Sequence, residues 1–81
     1  MSQHFDYYGE ARSISQTLKK HGHKKWGDLI LDKIAAGSTS TEILMGIRWA
    51  LQEGLNSRQV KTTQIERMML ALVAKIDGAL K

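Results

Sequence analysis

An all-α chain, either a small four-helix antiparallel bundle or an irregular helical domain, is the fold class this sequence predicts, and three observations predict it. Apolar residues recur at steps of three and four in four successive segments, and no alternating apolar and polar run is long enough to argue for a strand. Glycines and hydroxyl residues suited to capping stand between those segments. The chain contains no proline, so no position forces a helix to break.

The first helix is expected near residues 7–20, where Tyr7, Ala11, Ile14 and Leu18 form one stripe and Asp6 can accept the first amides. Gly22 offers its stop. Ser13 and Ser15 lower its intrinsic helicity, so burial against the rest of the chain must hold it. The second, near 24–36, carries Trp26, Leu29, Ile30 and Ile34 inward and is expected to leave through a left-handed Gly37. Asp28 and Asp32 lie one turn apart on its more polar side.

Thr39 and Glu42 have the spacing of a capping box, which starts a third helix near 40–53. Ile43, Leu44, Ile47, Ala50, Leu51 and Leu55 form its broad apolar face. At 100° per residue Met45 and Trp49 fall near the opposite side, with Arg48 and Gln52 at the margin. The segment from Gly54 to Thr63, with Asn56, Ser57 and two threonines, reads as a longer connection or a frayed short turn. Thr63 and Glu66 repeat the cap-and-box spacing before a last helix near 63–80, whose stripe is Ile65, Met68, Met69, Leu72, Val73, Ile76 and Leu80.

With 81 residues and 9.1 kDa, the chain is expected to form a single helical domain spanning 1–81. At this size roughly 60% of the extended chain's surface can be buried. That leaves little room to wall off an active site without a second subunit. The absence of cysteine removes disulfides, thiolate metal sites and a cysteine nucleophile. No segment reaches the ~20 apolar residues that span a bilayer. The start, Met1-Ser2-Gln3-His4-Phe5-Asp6, lacks the basic and apolar regions of a secretory signal. A soluble, cytoplasmic protein with no membrane partner is expected.

Catalytic and metal chemistry find little support. His21 and His23 frame Gly22, and His4 is the only other histidine; the pair sits across a glycine turn instead of on one helical face and no thiol assists, so the spacing of a zinc site is not met. Asp28 with Asp32, or Glu42 with Glu53, can be drawn as carboxylate pairs, but Glu42 is explained by the capping box and neither pair has a histidine beside it in sequence. There is no phosphate-cradling glycine loop and no nucleophile elbow. No enzyme activity, cofactor or metal is expected.

Binding is the better-supported class. A tryptophan and a methionine on the outward side of the third helix, next to an arginine, suit the centre of a protein interface, so Met45, Arg48, Trp49, Met68 and Met69 are expected to meet a protein partner or a second copy, as in a homodimer. The alternative is nucleic acid. The formal charge of +4 divides evenly, with six Lys/Arg against four Asp/Glu both in residues 1–37 and in 38–81, and its one concentration is Lys19-Lys20-His21-Gly22-His23-Lys24-Lys25. Lys19, Lys20, Lys24 and Lys25, with Arg12, could bracket a phosphate backbone. A helix-turn-helix reading fails, because its recognition helix would present Ile43, Leu44, Met45, Ile47 and Trp49 where base edges want arginine, asparagine or glutamine. Tyr7 and Tyr8 diverge by 100°, and with Phe5 they are expected to pack locally over the helices.

Overall fold

Residues 5–81 are described by a computed structural model, in which four helices and no strand occur among the described residues: α1 (Tyr7–Lys20), α2 (Lys24–Ala36), α3 (Ser40–Asn56) and α4 (Thr63–Ala79). Each packs on its neighbour in the chain and α4 closes on α1. The turns are short, so consecutive helices run antiparallel. The shared core takes Ala11, Ile14 and Leu18 from α1, Trp26 and Ile30 from α2, and Ile47, Ala50 and Leu51 from α3. From α4 come Ile65, Met69, Leu72, Val73 and Ile76. Met69 is fully buried, which corrects its placement at an interface: its position between Ile65, Leu72 and Ile76 puts it on the inner stripe.

The ends of the helices explain their order. Asp6 accepts from the Gly9 amide at 2.9 Å and starts α1. α1 stops in a Schellman turn, where Gly22 takes φ +85° and the His23 and Gly22 amides donate to Leu18 and Lys19. Thr39 caps α3 by accepting from the Glu42 amide at 3.2 Å. The Glu42 carboxylate accepts from the hydroxyls of Ser38 and Thr39, where a standard box would take the cap residue's amide.

Three expectations about turns are corrected. Gly37 is extended, at φ −74° and ψ 144°; a side chain there would meet Ile43 Cγ1 at 2.5 Å, so it serves close packing and not a left-handed exit. α3 continues through Gly54 to Asn56, because Gly54 is buried inside the fold instead of opening the loop. α4 is preceded by Thr62, whose side chain makes no capping bond, so Thr63 is not the cap residue. The connection also contributes Val60 to the core.

The tightest approach is between α1 and α2. Ser15, a fully buried polar residue, donates from Oγ to the Gly27 carbonyl at 2.7 Å, and a methyl group at Gly27 would stand 2.7 Å from the Ser15 carbonyl oxygen. At Gly54 the equivalent methyl would meet the end of Met69 at 2.9 Å and the Trp26 ring at 3.7 Å. A methionine terminus can move aside and a helix backbone cannot. Gly27→Ala is therefore expected to destabilise by about 1–2 kcal/mol after the helix-propensity gain is counted. Gly54→Ala is expected to stay within about 1 kcal/mol of wild type, and Ser15→Ala to lose about 1 kcal/mol. Urea denaturation of the three variants checks the ranking, and equal effects at the two glycines would contradict it.

Candidate functional site

The outward side of α3 holds the first group of sequence-predicted residues. Met45 and Trp49, one turn apart, are 57% and 47% exposed. They are not left loose. The stem of Lys33 crosses α3 at Gly46, and its ammonium lies 4.6 Å from the centre of the Trp49 ring. Such a cation–π contact is worth about 0.5–1 kcal/mol at an exposed site and restricts the indole. Arg48 points to the α4 side, where its Nε donates to the Asp77 carboxylate across the helix seam.

Met68 and Met69 do not join this face. Met69 belongs to the core, and Met68 is half-buried against it. Sequence reasoning missed Leu70, which is 55% exposed. Its signal is readable: it lies off the Ile65, Met69, Leu72, Ile76 stripe and two turns before Asp77, hence on the flank of α4 that meets α3.

The second predicted group sits at the α1–α2 turn, and its charge is partly absorbed. Asp28 binds Lys24 at 2.6 Å and Lys19 at 3.0 Å. Lys25 lies with its Nζ 4.7 Å from the centre of the Trp26 ring. Lys20 is exposed and, among the described residues, no acid pairs with it. Arg12 is exposed two turns back along α1, about 10 Å from Lys19 along the axis, outside the turn.

No third constellation converges. Asp28 is held by lysines and Glu42 by hydroxyls. Among the described residues no group of three or more His, Cys, Asp or Glu could hold a metal, and no buried side-chain polar atom lacks a partner. His4 lies outside the described residues. A shallow cavity of about 340 Å³ is lined by Phe5, Asp6, Tyr7, Tyr8, Ser40 and Leu44. Phe5 packs edge-on to Tyr7 at 4.8 Å, as local packing of this segment requires, and Lys75 covers its ring. The one carboxylate of the cavity lining is occupied in capping α1. No described helix is long and apolar enough to cross a membrane.

The hydrogen bond from Lys24, then that from Lys19, hold the Asp28 carboxyl below the ordinary carboxylate range, and the bond to Asp28 raises the Lys24 ammonium. Because the Asp28 value is lowered on folding, its contribution to stability is complete above the unfolded carboxyl's range and disappears as pH falls through the folded value. Lys24 behaves oppositely: its contribution is complete below its unfolded value and disappears as pH rises through the raised one. A carboxyl-detected NMR titration is expected to place Asp28 low in the wild type, with Lys24→Ala moving it up further than Lys19→Ala. An unmoved midpoint in both variants would refute the shared ion pair.

Compared with protein-family models, with curated proteins and with solved structures, the chain matches none.

Proposed function

We propose that the chain is a small helical protein-interaction module without catalytic chemistry, and that it pairs with a second copy of itself through the outward face of α3. The observation that carries this reading is the exposure of Met45 and Trp49 side by side while the other large apolar residues of α3 are buried or half-buried. A tryptophan already held by Lys33 loses little freedom on docking, which is the property of an interface anchor.

The occupant is a second copy, because two adjacent apolar side chains on one helix can meet themselves across a twofold axis. A twofold pairing presents the same patch twice, so each copy brings Met45 and Trp49 to one shared centre. The Arg48–Asp77 pair supplies a polar margin on the α4 side.

Sedimentation equilibrium tests the pairing. The wild type is expected to associate toward twice its 9.1 kDa with rising concentration, and Trp49→Lys and Met45→Lys each to return it to the monomer mass with unchanged helicity. A wild type that stays at monomer mass at the highest attainable concentration would overturn the reading. So would association that survives both substitutions.

A further inference from the structure

The fold brings a second basic turn next to the one visible in the sequence. The Trp26 indole nitrogen donates to Gln59 Oε1 at 3.0 Å, which ties the α3–α4 loop to the start of α2. Residues 19–25 and 57–62 are thereby set at the same end of the molecule, with six lysines and arginines between them and no aspartate or glutamate. Asp28, one turn into α2, engages Lys19 and Lys24. Among the described residues no acid pairs with Lys20, Lys25, Arg58 or Lys61. Glu53 and Glu66 stand about a turn back along α3 and α4.

Two further observations distinguish this end. Arg58 follows the α3 cap residue in the left-handed region, at φ +60°, where the corresponding position after α1 is Gly22. Its neighbours hold it there: Ser57 Oγ donates to the Gly54 carbonyl at 2.6 Å and accepts from the Gln59 amide at 3.1 Å. A strained arginine kept where glycine would fit better is a mark of a functional position. In addition, α2 and α4 both begin at this end with no side-chain cap, whereas the two helices that begin at the opposite end are capped by Asp6 and Thr39. Open amides at helix starts, with cations around them, attract anions.

From this arrangement we infer that the two turns form one binding surface for the phosphate backbone of a nucleic-acid duplex, with Lys20, Lys25, Arg58 and Lys61 as the neutralising charges. No large apolar residue in either turn is exposed, so the surface lacks the anchor of a protein interface. Trp26 is 8% exposed and covered by Lys25, so single-stranded bases find no stacking platform. Binding here involves backbone charge and not base edges, and is independent of sequence. It does not depend on pairing through α3.

Fluorescence anisotropy of the whole chain with a labelled DNA duplex, its RNA counterpart and the matching single strand tests the assignment. Four phosphate contacts predict a log–log salt slope of about −3.6, or a loss of about 100-fold in affinity between 50 and 200 mM salt. Arg58→Gly removes one contact and relieves the left-handed strain, so it is expected to fold at least as well as wild type while the slope falls by about 0.9. Lys61→Ala is expected to act alike. The inference fails if no duplex binds at low salt, or if Arg58→Gly and Lys61→Ala leave the slope unchanged. It also fails if the single strand binds more tightly, or if polyglutamate of equal charge displaces the duplex, which would assign the surface to acidic proteins.

Discussion

The fold depends on how closely α1 and α2 can approach at Gly27. The absence of a side chain there lets the backbone of α2 lie against Ser15, and the Ser15 hydroxyl donates to the Gly27 carbonyl in a fully buried setting. A buried hydroxyl without a partner would be costly, so this bond also fixes the rotation of α2 about its axis. Trp26, the residue before Gly27, is consequently aimed at Gly54 of α3 and at Gln59 of the following loop. Through that one indole the geometry of the first two helices is passed to the third and to the start of the fourth.

Two kinds of surface result from the same constraint. Burying Ile47, Ala50, Leu51 and Gly54 turns Met45 and Trp49 outward, and Lys33 from α2 is placed to cover the Trp49 ring. At the end where Trp26 meets Gln59, two turns distant in sequence become one basic surface. The opposite end is different in character: its helix starts are capped by Asp6 and Thr39, and the turn Gly37-Ser38-Thr39 carries no charge. The net charge of +4 therefore describes the molecule less well than its distribution between the two ends.

The helices were legible in the sequence because their signals are local. The apolar spacing located all four within a few residues, and the caps at Asp6 and Thr39 and the stop at Gly22 stand where side-chain chemistry put them. The uses of the other glycines were not legible. Gly37 and Gly54 look like a helix exit and a loop opening, yet Gly37 makes room for Ile43 across the α2–α3 turn and Gly54 for Met69 and Trp26, residues distant in the chain. Met69 shares the spacing of Ile65, Leu72 and Ile76, so its burial is legible in the sequence, and only Met68, 100° away, stands at the boundary. Arg58 and Lys61 escaped notice because charge counted along the chain does not reveal which turns the fold brings together.

The packing of all four helices and the joining of the two basic turns both rest on the link between Trp26 and Gln59. A ¹⁵N-edited NOE spectrum of the wild-type chain measures it directly through the Trp26 indole proton. Cross-peaks from that proton to the Gln59 side chain and to the backbone amides of Arg58 and Val60, with slow exchange in D₂O, are the predicted result. A Trp26 indole proton that exchanges freely and shows no contact with the α3–α4 loop would contradict both the transmitted packing and the joined basic end.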